Sequence, residues 1–136
     1  MSLKEEDRRI IVSLELEKAE KTFAETNILR QAELWSNLAN RLYYSLFHAM
    51  TAMLVHDHHE VGTHKGAANR FHMYYVKTGL FTVEEGAFYS QMQALREESD
   101  YNCSYNVTEN DVVARIEPTR QLIEKIKQYI AENNKL

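Results

Sequence analysis

The fold class this sequence predicts is all-α, an up-and-down antiparallel bundle of four main helices plus one short helix. Three observations point there. Apolar residues recur at helical intervals over most of the chain. One proline and four glycines in 136 residues are too few to punctuate a series of short strands. Two threonines followed three residues later by an acidic residue, Thr82 with Glu85 and Thr108 with Asp111, stand where amphipathic segments begin.

The first helix, roughly Glu5 to Thr26, carries Val12, Leu16, Ala19 and Phe23 at helical spacing and charges on its other side, so it packs one-sidedly. The second, from about Arg30 to Val55, is apolar over more than half its circumference and should be the central and longest rod. His56 to Gly66 breaks the pattern as a polar loop, a candidate binding element, leading into a short helix that ends near Val76. The capping box at Thr82 opens a fourth helix running to about Tyr101. The last helix presents Val112, Ile116, Ile123, Ile126 and Ile130, with Pro118 predicting a kink near Ala114 because it removes an amide and crowds the preceding turn. Short connections between such helices favour antiparallel neighbours, and no linker divides residues 1–136 into two domains.

A chain of this length buries a sufficient core without a metal or disulfide, and a single cysteine, Cys103, allows no internal bridge. The charged first residues and the absence of an apolar run near 20 residues predict a cytoplasmic protein with no membrane span. A formal charge of −4 does not imply nucleic acid by bulk attraction, though a local basic cleft on an acidic body is compatible with it.

Within the second helix, at about 100° per residue, Asn37, Arg41, Tyr44 and His48 fall within roughly 60° of one another. The fourth helix repeats that spacing with Tyr89, Gln93, Arg96 and Asp100. Each strip is either a solvated edge or the wall of a cleft. Arg96 and Asp100, one turn apart, form a surface ion pair or, inside a cleft, a guanidinium aimed at phosphate. His64 and Lys65 open the short helix, where backbone amides favour an anion. Tyr101 either caps the core or stacks on a base. The run His56 to Glu60, with His64, holds zinc-type ligands, yet lacks the paired spacing of a metal site and reads more simply as a hydrophilic loop.

Three segments together resemble the HEPN domain family: Asn40-Arg41-Leu42-Tyr43-Tyr44-Ser45-Leu46-Phe47-His48-Ala49; Thr63-His64-Lys65-Gly66 followed by Phe71 and Tyr75-Val76-Lys77; and Arg96-Glu97-Glu98-Ser99-Asp100-Tyr101. The resemblance implies a helical bundle that often dimerises, with a cleft between protomers. It further implies a metal-independent ribonuclease toxin paired with a small nucleotidyltransferase antitoxin, or a module that binds RNA or a nucleotide without cutting; no cofactor is expected. The family's nuclease motif places a histidine four to six residues after the arginine matched by Arg96. Here no histidine follows Arg96, and Asp100-Tyr101 stands in its place. Arg41 and His48 have the motif's spacing on the wrong helix. By resemblance, Arg96 would contact the scissile phosphate and Asp100 would orient it. Arg41, Tyr44, His48, His64, Lys65 and Tyr101 complete the expected RNA or nucleotide site. Three readings remain open: an RNA-directed toxin, a non-catalytic interaction module, and a metal-dependent bundle using the loop from His56 to His64.

Overall fold

The computed structural model describes residues 3–133. Helix α1 spans Glu5–Gln31, α2 Trp35–His56, α3 His64–Phe71, α4 Val83–Tyr101, α5 Glu109–Val112 and α6 Ile116–Glu132. Among the described residues there is no strand, and no helix is long and apolar enough to cross a membrane.

Side-chain contacts give the helix directions. Arg8 bonds the Val55 carbonyl, Glu15 meets His48, and Glu25 meets Arg41, so α1 and α2 run antiparallel along their whole length. Asn40 meets Asp100, and the Tyr43 ring lies against Arg96, which makes α4 antiparallel to α2. Glu85 at the start of α4 holds Lys125, past the middle of α6, at 2.7 Å, and Asp57 after the end of α2 holds Tyr129 near the end of α6, so the bundle alternates up and down. Helix α2 is the central rod: Leu38, Leu42, Leu46, Met50 and Met53 are fully buried among the other helices. Each such side chain contributes about 1.5–3 kcal/mol through the water it leaves.

The first two helices depart from expectation. Helix α1 is longer than α2, 27 residues against 22, and α2 begins at Trp35, not near Arg30. Both helices end in the same way. Glu33 has φ 57° while the Leu34 amide bonds the Leu29 carbonyl at 3.0 Å; His58 has φ 67° while the His59 amide bonds the Leu54 carbonyl at 2.8 Å. These are Schellman-type closures in which a residue other than glycine takes the left-handed position. With no glycine to mark it, the first stop is invisible in a sequence full of good helix formers.

Most of the remaining elements follow their signals closely. Thr63 Oγ1 accepts the Gly66 amide at 2.9 Å and starts α3, which passes into a single π turn over His72–Val76. At Thr82, the amide donates to Glu85 Oε1 at 2.7 Å and the hydroxyl accepts the Glu85 amide at 3.0 Å, completing the capping box. The Thr108 amide donates to Asp111 Oδ2 at 2.9 Å. The last segment is not the one kinked helix expected: a 3₁₀ turn over Val113–Arg115, which holds Ala114, divides α5 from α6. Pro118 itself sits in the first turn of α6, where a missing amide costs little.

Candidate functional site

The face of α4 that packs on α2 carries Tyr89, Met92 and Arg96, all buried. Tyr89 therefore does not belong to a polar strip, as its spacing suggested. It is fully enclosed, its hydroxyl meets no hydrogen-bond partner among the described residues, and burial raises its pKa.

Arg96 is the centre of the arrangement. Only 4% of it is exposed, and its guanidinium carbon lies 5.0 Å from the Tyr43 ring centroid, 5.4 Å from that of Tyr44 and 5.5 Å from that of Tyr101. Nη1 donates to the Tyr101 hydroxyl at 3.1 Å and lies 3.7 Å from Asp100 Oδ2. Three ring quadrupoles and one carboxylate make a nearly enclosed cation tolerable. Its Nε is sealed from solvent without a partner, and Nη2 makes no hydrogen bond among the described residues.

The two helices are joined through Asp100, which accepts from Asn40 Nδ2 at 3.1 Å. Asn40 Oδ1 in turn accepts from Arg41 Nε and Nη2 at 3.1 and 2.8 Å, and Arg41 Nη1 lies 3.6 Å from Glu25. Arg41 also lies over the Tyr44 ring at 5.5 Å. Beside this chain opens a groove of about 720 Å³ lined by Ile28, Leu29, Asn37, Asn40, Arg41 and Asp100. Asn37 and Arg41 from the α2 strip and Asp100 from the α4 strip border this groove, which is within the size range of small-ligand sites, while Arg96 is buried behind Asp100 and is not among its lining residues.

His64 reaches the same cluster from α3. Its Nδ1 shares a hydrogen bond with the Tyr43 hydroxyl at 2.8 Å, and its ring lies 4.3 Å from that of Phe47 and 5.7 Å from that of Tyr44. Burial, and then the Arg96 charge, hold its pKa below the usual imidazole value, while burial raises the Tyr43 phenol to about 12. One tyrosine ring therefore separates a neutral imidazole from a permanently charged guanidinium.

Other expected site residues lie apart from this cluster. His48 turns toward α1 and meets Glu15 at 3.2 Å, so Tyr44 and not His48 brings the α2 strip to Arg96. Lys65 is exposed and forms no ion pair among the described residues. Tyr101 is 75% exposed, so it does not cap the core; its hydroxyl alone folds back onto Arg96. The histidine loop disperses: His56 bonds Asp57, His58 meets Glu5, His59 stacks on Tyr74, and His64 belongs to the arginine cluster. No three metal-ligating side chains converge among the described residues. Asn40 and Tyr43 are the residues that spacing missed. Tyr43 reads as apolar filling and Asn40 lies outside the strip, because their role is set by partners 60 and 21 residues away.

The HEPN domain pattern matches residues 12–129, most of the chain and all of this cluster. The chain belongs to the HEPN domain family. Similar proteins include two from Methanocaldococcus jannaschii. One, named "Putative toxin MJ0142", is 25% identical over 88% of this chain and 81% of its own length. The other, "Putative toxin MJ0605", is 25% identical over 96% and 97%. A UPF0332 protein of Thermotoga maritima is 27% identical over 85% of this chain and 87% of its own. Within the matched residues of this HEPN protein, Arg96 is packed among rings, and its neighbour Asp100 joins α4 to α2.

Proposed function

We propose that this HEPN protein is the RNA-directed, toxin-type member of a toxin–antitoxin pair, and that the crevice beside Arg41 and Asp100, with Arg96 behind it, cleaves single-stranded RNA without a metal. The observation that carries the reading is the nearly buried Arg96 with an imidazole one ring away, since a buried cation is costly and serves an anion better than it serves packing. The toxin names of two relatives point the same way.

In this reading the backbone phosphate enters from the groove beside Asn40 and Arg41. Arg96 stabilises the charge that builds on phosphorus oxygens, and Asp100, held by Asn40, fixes the guanidinium. The ribose 2′-oxygen bonds to phosphorus as the bond to the 5′-oxygen breaks. His64 takes the 2′ proton, a role suited to an imidazole kept neutral near pH 7, and water protonates the leaving oxygen. His64 thus does from α3 what a histidine after Arg96 does in the family motif. The acting form is a homodimer, and the partner is a small nucleotidyltransferase antitoxin that silences the crevice by binding over it.

The test is purified protein with a mixed RNA pool in chelator, comparing wild type, Arg96→Ala and His64→Gln. Cleavage lost in both variants supports the reading. No cleavage by wild type, or equal cleavage by Arg96→Ala, ends it. A second reading is favoured by the replacement of the motif histidine by Asp100-Tyr101: the same crevice binds RNA, a nucleotide or a nucleotidyltransferase without turnover. In that case Arg96→Ala weakens retention of ligand or partner while no RNA is cut.

A further inference from the structure

A second pocket lies at the other end of α2, about 24 Å along the helix from Asn40 at 1.5 Å per residue. Its volume is about 770 Å³, and it sits between the start of α1, the π turn and the end of α6. Nothing in the Arg96 chemistry uses it. Three features of it point to a ligand.

The first is a pair of arginines. Arg8 is buried, with Nη1 donating to the Val55 carbonyl at 2.8 Å and Nε to Glu5 at 3.3 Å, while Nη2 makes no hydrogen bond among the described residues. Arg9, exposed at the rim, forms no ion pair among the described residues. The second is an aromatic stack that a further flat ring can extend: the rings of His59 and Tyr74 lie face to face at 4.0 Å with only 4° between their planes, and both line the pocket. The third is a rigid back. Asp57 Oδ2 accepts from both the Tyr75 and Tyr129 hydroxyls at 2.7 Å, and Oδ1 meets His56 Nδ1 at 2.7 Å. These bonds tie α2, the π turn and α6 together.

The charges decide the class of ligand. The two carboxylates on the pocket are occupied, Asp57 by three hydrogen bonds and Glu5 by Arg8 and His58. The cationic donors left unoccupied among the described lining residues belong to the arginines, Arg8 through Nη2 and Arg9 through its whole guanidinium. A cavity of this size with free guanidinium donors and an aromatic stack selects a small molecule carrying both an anionic group and a flat ring. We propose that this end of the bundle is a binding site for a small aromatic organic anion, its phosphate or carboxylate held by Arg8 and Arg9 and its ring extending the His59–Tyr74 stack.

Isothermal titration of the full chain near pH 7 tests this with four probes: AMP, salicylate, adenosine and inorganic phosphate. AMP and salicylate separate a phosphate-bearing from a carboxylate-bearing ligand; adenosine and phosphate each carry one feature alone. Saturable binding of AMP or salicylate is expected, one per chain, at least about tenfold tighter than adenosine or phosphate. Arg9→Ala and Tyr74→Ala change side chains at the rim and each weakens it about tenfold or more, whereas Arg120→Ala, exposed in the first half of α6 and away from the pocket, leaves it unchanged. Failure of both probes to saturate at millimolar concentration overturns the proposal. So does binding that survives both rim variants or disappears with Arg120→Ala.

Discussion

Replacing Arg96 by methionine separates a residue kept for chemistry from one kept for packing. Methionine fills much of the space of the arginine stem, so the change chiefly removes charge. Three contacts with tyrosine rings, at 5.0 to 5.5 Å, are lost, each worth about 0.5–1 kcal/mol. The charged hydrogen bond to Tyr101 is lost too, about 1.5–3 kcal/mol. Against this, the sealed and unpartnered Nε, a liability of about 1–3 kcal/mol, disappears. So does a guanidinium desolvation cost of several kcal/mol. Asp100 is not stranded, because it is partly exposed and still accepts from Asn40. The losses, about 3–6 kcal/mol together, and the gains are of the same size, so the net change stays within about 3 kcal/mol. Arg96→Ala, by contrast, opens a cavity and costs about 2–4 kcal/mol. Urea unfolding measures both variants, and RNA cleavage or retention is measured in parallel. The expected result for Arg96→Met is a stability within about 3 kcal/mol of wild type with RNA chemistry abolished. A loss above about 3 kcal/mol would show that the cation holds the bundle together, and undiminished cleavage would remove it from the reaction.

Two further outcomes follow from particular contacts. A Cβ on Gly86 meets Val76 Cγ2 at 2.9 Å and His72 Nε2 at 3.0 Å, where α4 crosses the π turn. Gly86→Ala therefore destabilises by about 1–3 kcal/mol in thermal or urea unfolding despite alanine's better helix propensity, and unchanged stability would mean that the crossing is loose. Burial and then the Asp57 carboxylate raise the Tyr129 phenol from 10.0 to about 12. A proton held more tightly in the folded state stabilises below the unfolded pKa and ceases to as pH rises through the folded one. Stability is accordingly lost between pH 10 and 12, and Tyr129→Phe flattens part of that slope; an identical slope in the variant would refute the assignment.

Helices were legible because their causes are local. Periodic apolar residues, the Thr82 capping box and the Thr108–Asp111 pair act within one or two turns, and each element they mark is present. The end of α1 was not legible, because Glu33 adopts the left-handed conformation that glycine ordinarily signals. In the site, Arg96, Asp100 and Arg41 could be found from spacing on single helices. The part played by Tyr43, the displacement of His48 toward Glu15 and the arrival of His64 beside the arginine could not.

The amino-acid order alone determined the class of fold, the number of main helices and which helix lies at the centre, since a rod's own period dictates which of its faces must leave water. Only the packed chain decided that Tyr89 is sealed while Tyr101 is open, and that an imidazole from α3 stands near Arg96. It alone closed the second pocket around Asp57. The reason is physical: periodicity specifies the direction in which a side chain points from its own helix. The distance to a group dozens of residues away depends on how the helices settle against one another, and hydrogen bonds and burial respond to that distance.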